Sequence, residues 1–314
     1  MQAPCQPPGI QRANARSVLR LGLANFRYAA WAARRRLAVR CRDGRRAAPA
    51  RGPPVSEQPS AVFRKGSRSA PDGYFRWEAA GLAWLADAPG GAEVVTVLDV
   101  ATDYLDLEKL SFANPDPAMA EAFGAALART HDAGAPAYGS PPAGWDGDGF
   151  LGPATQLLPL PLRASETWGE FYAEQRLLPM LSMGVDSGIY HRSDIALFER
   201  IAHRLRNGEF DDGAPPARIH GDLWSGNIAW TPRGGVLIDP AAHGGHRETD
   251  LAMLALFGCP HWDFVIGGYL GQHRLDAQWP QRVALHQLHP LMVHGVLFGA
   301  DYPHRAVELA RRYR

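Results

Sequence analysis

Residues 219–250 read IHGDLWSGNIAWTPRGGVLIDPAAHGGHRETD, and their spacing decides the fold. Asp222 and Asn227 stand five positions apart in D-L-W-S-G-N, and Asp239 closes the apolar run Val236-Leu237-Ile238. Ile228–Trp230 reads as a strand, Thr231–Gly235 as turn chemistry and Val236–Ile238 as the returning strand. Folding that hairpin brings the Asn227 and Asp239 ends together, so two carboxylates and one carboxamide gather round one point. Hard oxygen donors of this kind suit Mg²⁺, which binds through one or two carboxylates plus substrate phosphates.

The same spacing matches a kinase catalytic loop, H-R-D-L-x-x-x-N followed by a strand-borne D-F-G; here it reads His220-Gly221-Asp222-Leu223 and Ile238-Asp239-Pro240. In that chemistry the first Asp orients and deprotonates the attacking hydroxyl, while the Asn and second Asp hold the metal. Aspartate also caps helices and ends strands into turns. Three such positions in this order, flanking a hairpin, favour phosphotransfer over three separate structural jobs. Asp222 is therefore the candidate catalytic residue, with Asn227 and Asp239 the candidate metal ligands and ATP with Mg²⁺ the implied cofactors.

Composition bounds the rest. A chain of 314 residues holds one large domain or two, and a net charge of +1 offers no argument for a nucleic-acid partner. The three cysteines, Cys5, Cys41 and Cys259, are scattered and odd in number, which suits a reducing compartment rather than a disulfide framework. No apolar run approaches a bilayer span, so cytoplasm is the expected setting, without membrane attachment. Arginine supplies nearly all the basic charge, and Lys65 and Lys109 are the only lysines. A compact ammonium on a flexible stem is not interchangeable with a planar guanidinium at a phosphate site, which singles out Lys65.

Residues 1–55 differ from the rest of the chain: Arg recurs from Arg12 to Arg42, and no acidic residue precedes Asp43. The segment has the Arg-rich, acid-poor character of a transit peptide or a disordered extension, with a short amphipathic helix over Val18–Ala33 as its one periodic stretch. Order becomes legible at Ala61–Lys65, a strand ending in lysine, followed by a helix from Tyr74 to about Ala88. Glu78 sits on that helix's apolar stripe with Phe75, Leu82 and Leu85. A carboxylate facing a core is costly unless paired, and Lys65 is the obvious partner. This is the strand-lysine to helix-glutamate pair of kinases, and a solvated Glu on an imperfect helix face is the alternative. Strands are expected over Val94–Val100 and Tyr104–Leu110, then helices over Met119–His131, Trp168–Met183 and Ile195–Leu205. The loop-rich stretch 134–161 is long enough to border an acceptor site. Beyond Asp239, Asp250 is expected to cap a helix over Leu251–Phe257 within reach of the catalytic loop, and Gln281–Leu297 to form one apolar helix.

H-G-D-L-W-x-G-N, I-D-P-A, the run Gly245–Met253 and the late H-P-L-M-V-H-G-V-L-F-G resemble the fructosamine kinase (ketosamine-3-kinase) family, relatives of the aminoglycoside phosphotransferases. The resemblance covers about Val62–Tyr313. It implies an α+β, bilobal protein-kinase-like fold: a small β-rich N-lobe with one helix over residues 56–110, and a larger, mainly helical C-lobe over 111–314. It implies phosphorylation of a sugar hydroxyl on a ketosamine, a glycated small amine or a glycated protein, as in deglycation repair. It places an adenine-binding hinge at Glu108–Leu110, with Glu108 and Leu110 as nucleotide contacts, and makes His246, Glu248 and His294 candidate acceptor contacts. Trp224, beside the catalytic Asp, is placed to stack on a sugar face. The family's glycine-rich G-G-x-x-N-type stretch is missing upstream of Val62, where Arg42-Asp43-Gly44-Arg45 is the nearest turn. Either the true start differs there or the nucleotide lid has diverged. The alternatives are a phosphotransferase for an amino-sugar, aminoglycoside or choline-like acceptor, and a lid-deficient pseudokinase acting as a binding module. A metallohydrolase built on His243, His246, Glu248 and Asp250 is the weakest.

Overall fold

The computed structural model describes residues 61–314. The Arg-rich segment, the helix expected over Val18–Ala33 and the turn expected at Arg42–Arg45 therefore lie outside the described residues.

A small antiparallel sheet comes first among the described residues: β1 (Val62–Gly66) pairs with β4 (Tyr104–Glu108), which pairs with β3 (Val97–Val100). Helix α1 (Tyr74–Ala86) packs on it, burying Phe75 and Leu82 against Leu105 and Leu107. The expected strand over Val94–Val100 is two strands. Its first part, β2 (Glu93–Val94), runs parallel to β9 (Gly234–Leu237) of the hairpin that carries Asn227 and Asp239 at its ends, and the Val95 amide donates to the Leu237 carbonyl at 3.0 Å. Its second part turns away into the small sheet.

The hairpin β8 (Ile228–Thr231) and β9 closes on Pro232 and Arg233, since Thr231 pairs with Gly234. Its period-2 alternation is used on both sides. Ala229 and Val236 face the small-lobe core with Phe75 and Leu105, whereas Ile228, Trp230 and Leu237 join a large-lobe core with Phe123, Leu127 and Ile266. The hairpin that carries Asn227 and Asp239 at its ends is thus clamped between two cores.

The large lobe is helical. Helix α2 (Pro117–Asp132) starts where the Asp116 side chain accepts the Met119 amide at 2.8 Å, and it packs closely on α7 (Trp262–Gln272). Strands β5 (Gly149–Leu151) and β6 (Leu158–Leu160) form a hairpin within the loop-rich stretch, and β7 (Ala217–Ile219) pairs with β10 (His243–Gly245). The helix expected over Trp168–Met183 is interrupted: α3 (Trp168–Tyr172) passes through a π turn at Ala173–Leu177 into α4 (Leu178–Asp186). Pro179 is the cause, because it has no N–H and its ring crowds the carbonyl of Gln175. The buried Arg176 guanidinium donates to that orphaned carbonyl at 2.8 Å. Helix α5 (Arg192–Arg206) follows the expected pattern.

The helix expected over Gln281–Leu297 also breaks, into α8 (Trp279–His286) and α9 (Leu288–Phe298), before α10 (Tyr302–Ala310). Pro290 acts as Pro179 does, here on the carbonyl of His286. The Tyr172 hydroxyl serves that carbonyl at 3.2 Å and the Leu285 carbonyl at 2.8 Å. Helix α6 (Arg247–Phe257) begins four residues earlier than expected, capped by His246, whose Nδ1 accepts the Glu248 amide. Among the described residues no helix is long and apolar enough to cross a membrane.

The α2–α7 contact depends on missing side chains: a Cβ on Gly124 would lie 1.9 Å from the Val265 carbonyl oxygen. Gly124→Ala should therefore destabilise the fold by about 1–3 kcal/mol despite its better helix propensity. Thermal melting checks this, and a variant melting at or above the wild-type temperature would contradict the packing.

Candidate active site

The loop between β7 and β8 carries the candidate catalytic motif, and buried hydrogen bonds fix its shape. Asp250, in the first turn of α6, accepts the His220 amide at 2.7 Å and the Gly221 amide at 3.0 Å. It is not the cap of its helix, but it does reach the loop backbone as its spacing suggested. His131 donates to the same carboxylate across 3.1 Å and meets the Tyr269 hydroxyl at 2.7 Å. Burial raises the cost of ionising Asp250, yet the His131 side chain and the His220 amide outweigh it and leave its pKa below the usual carboxylate range. His220 is fully buried and its pKa is lowered by that burial. Its Nδ1 accepts the Asp222 amide, so Nε2 carries the proton and donates to the Ile238 carbonyl at 2.9 Å. His220 therefore ties the Asp222 loop to the end of the strand that presents Asp239.

Asn227 completes the loop. Its Nδ2 donates to the Asp222 carbonyl at 2.7 Å and to Asp222 Oδ2 at 3.1 Å, which leaves Oδ1 as its acceptor for a cation. Asp239 follows β9 with φ of 54°, a left-handed conformation unusual for a residue with a side chain. The arrangement turns Asp239 toward Lys65, whose Nζ lies 2.9 Å from Asp239 Oδ1 and 2.7 Å from each Glu78 oxygen. Burial disfavours the Lys65 ammonium, but the Asp239 and Glu78 carboxylates outweigh it and hold its pKa above the ordinary lysine value. Two carboxylates and a carboxamide oxygen around one cleft are a donor set that fits a hard divalent cation.

The cleft is lined by Lys65, Glu78, Asp222, Asn227 and Asp239 together with Trp224 and His294, so seven of the residues singled out from sequence meet there. Its apolar wall comes from α1 (Tyr74, Trp77), from Phe150–Pro153 in and just after β5, and from α9 (Val293, Leu297, Phe298). The loop-rich stretch was expected to border the acceptor site, and Phe150–Pro153 does line the cleft. Tyr74 and Trp77 carried no signal beyond ordinary helix periodicity, and Leu297 and Phe298 none beyond lying in the late run that carries the family resemblance. His294 donates from Nδ1 to the Pro290 carbonyl at 2.7 Å, and burial lowers its pKa to about 4.

Glu108, at the end of β4, and Leu110, just beyond it, are not among the residues lining this cleft. The Glu108 side chain accepts from Thr96 and from Arg233, each at 3.1 Å, and Leu110 packs on the small-lobe core. His246 and Glu248 do not reach the cleft. They are 2% and 1% exposed in a separate network, where Arg282 grips both Glu248 oxygens at 2.5 and 2.9 Å and His246 meets Asp212 at 3.2 Å. The short helix spacing that put them near the catalytic loop in sequence turns their side chains into the large-lobe interior. His246, Glu248 and His286 do cluster closely enough to hold a metal. The guanidinium already bound to Glu248 makes the cluster a salt-bridge network instead, which weakens the metallohydrolase alternative.

A strand-borne lysine paired with a helix glutamate, facing a D-x-x-x-x-N loop and a second aspartate across a two-lobed cleft, defines the protein-kinase-like phosphotransferases as the class. The structure of the gentamicin–APH(2″)-IIa complex shares that fold, at a TM-score of 0.51 and 12% identity over 80% of this chain and 84% of the other. Residues 51–313 match the model of the fructosamine kinase family, and the chain belongs to that family of ATP-dependent phosphotransferases. A probable ketoamine kinase of Synechocystis sp. is 32% identical over 213 residues, 67% of each chain. A putative fructosamine-3-kinase from Thermobifida fusca is 46% identical in its crystal structure, with a TM-score of 0.73 over 80% of this chain and 85% of that one. For several other curated ketoamine kinases the match spans about half of the relative's length.

The buried histidines make the fold acid-sensitive. His243, His286 and His294 are held by burial at pKa values of about 3, 4 and 4, against 6.5 when exposed. Between pH 6.5 and about 4 the unfolded chain binds protons that the folded chain excludes. Stability is therefore complete above that window and declines through it, by about 1.4 kcal/mol per pH unit for each such group. Urea midpoints measured from pH 8 to 4.5 should be level above about 6.5 and fall steadily below it. A midpoint that stays level down to pH 4.5 would contradict neutral burial of these rings.

Proposed function

We propose that the protein transfers the γ-phosphoryl group of ATP to a sugar hydroxyl of a ketosamine. The observation that carries the reading is the Lys65 ammonium bridging Glu78 and Asp239 on the same cleft as Asp222. In this reading Lys65 steadies the nucleotide phosphates, Glu78 fixes Lys65, and Asp222 orients the acceptor hydroxyl and takes its proton. Bound Mg²⁺, held by Asn227 Oδ1 and Asp239, would neutralise charge on the phosphates. Trp224 offers an aromatic face for the sugar ring, and the Asp222–Asn227 hydrogen bond keeps the Asp222 carboxylate in place. Glu108 and Leu110 would border the adenine.

Charge distribution supports a ketosamine over a polycationic aminoglycoside. Among the described residues lining the cleft, the charged side chains are Lys65, Glu78, Asp222 and Asp239, each already committed to the phosphotransfer role. Apart from Asn227 and His294, the remaining wall is aromatic and aliphatic, which suits an acceptor with a single cationic nitrogen. An acceptor carrying several ammonium groups would have to be desolvated without further carboxylates to receive it.

Incubation with ATP, Mg²⁺ and a glycated-lysine analogue, followed by mass measurement, should show a phosphorylated product, with aminoglycosides turned over far more slowly. Asp222→Asn should lower kcat by roughly 10²–10⁴-fold while melting temperature and Mg·ATP binding persist. An unchanged rate in the variant would refute the role of Asp222. Calorimetry showing no Mg·ATP binding to the wild-type protein would favour a binding module instead.

A further inference from the structure

Trp77 belongs to the small-lobe helix α1 but is buried, 2% exposed, in the core of the large lobe with Leu151, Leu158 and Tyr172. Its indole Nε1–H donates to the Phe150 carbonyl at 3.1 Å, and Trp145 meets the ring edge-on with centroids 5.5 Å apart. Gly149 makes room for it, since a Cβ there would lie 2.5 Å from the indole. One turn earlier, Tyr74 stands against the Phe150 ring at 5.9 Å and donates to the Gly152 carbonyl at 3.4 Å. The first turns of α1 are thereby joined to the β5–β6 hairpin. That hairpin supplies Phe150–Pro153 to the cleft wall, which Trp224 and His294 also line.

The next residue on α1 is Glu78. Neighbours on a helix point about 100° apart, so one turn of α1 shows its carboxylate to Lys65 and its indole to the hairpin. A rotation or shift of α1 that repositions Glu78 must carry Trp77 and the hairpin backbone with it. We propose that Trp77 is a positioning residue that couples the acceptor wall of the cleft to the Lys65–Glu78 ion pair, so that nucleotide binding orders the β5–β6 hairpin and an acceptor held by that hairpin strengthens nucleotide binding. The coupling is reciprocal by linkage. Its acceptor half rests on the ketosamine reading; its nucleotide half does not.

Hydrogen exchange with Mg²⁺ and a non-hydrolysable ATP analogue tests the nucleotide half without any acceptor. In the wild-type protein the analogue should slow exchange across residues 149–160 roughly 5-fold or more, the lower end of ordinary coupling. Trp77→Phe keeps a buried ring but removes the donor to Phe150. It should abolish that protection while leaving the protection of 62–66 and 104–108. Tyr74→Phe, a milder change at the same joint, should weaken the protection of 149–160, which keeps the test alive if Trp77→Phe folds poorly. Equal protection of 149–160 in wild-type and variant proteins, or none in the wild type, overturns the proposal. In turnover, the wild-type KM for ATP should fall as ketosamine concentration rises, and Trp77→Phe should remove that dependence, which a merely structural role would not. Nucleotide-dependent protection without ketosamine turnover would refute the acceptor reading and leave the joint standing. Turnover without that protection would refute the joint.

Discussion

The Lys65 ammonium stands between Glu78 and Asp239 at 2.7 and 2.9 Å, and these three residues come from a small-lobe strand, a small-lobe helix and the end of the catalytic hairpin. Partial burial makes each charge expensive alone, so removing one partner would leave another uncompensated. The triad thus fixes the distance between elements that share no sheet. It needs a rigid seat on the large-lobe side, and the β8–β9 hairpin provides one by offering alternate residues to two different cores. The phosphate chemistry proposed for this cleft depends on that geometry, because positioning and charge do most of the work in phosphoryl transfer.

A second buried carboxylate governs the other side of the cleft. Asp250 satisfies two consecutive loop amides and is itself held by His131, which leans on Tyr269. His220 then links this support to the Ile238 carbonyl beside Asp239. Asp222 and Asp239, on different segments, are in this way positioned by one hydrogen-bonded unit. Such a unit is fully satisfied or it is a liability, since an unpaired buried amide costs about 1–3 kcal/mol.

The residues that meet at the cleft were legible where chemistry constrains spacing. Asp222, Asn227 and Asp239 could be placed because a tight hairpin joins them, and Lys65 with Glu78 because a carboxylate on an apolar stripe needs a cation. What escaped was set by long-range packing. The split of Val94–Val100 into two strands follows from pairing with β9, far along the chain, where Glu93 meets Val236. The breaks before Pro179 and Pro290 were signalled by the prolines themselves, but the side chains that heal them, Arg176 and Tyr172, had no such signal. His246 and Glu248 looked like site residues through proximity to the loop in sequence, yet Arg282, on α8, draws Glu248 into the interior. The apolar wall of Tyr74, Trp77, Phe150 and Leu297 arises from three separate elements and has no local signature.

The central claim is that oxygen atoms from Asn227 and Asp239 and the ammonium of Lys65 address one bound metal–nucleotide complex. A crystal structure of the protein with Mg²⁺ and a non-hydrolysable ATP analogue tests it most directly. The expected result is a metal at about 2.0–2.1 Å from oxygens of both Asn227 and Asp239, phosphates within hydrogen-bonding distance of Lys65, and the Lys65–Glu78 pair intact. A nucleotide bound away from these residues, or a metal held by the His246, Glu248 and His286 group instead, would contradict it.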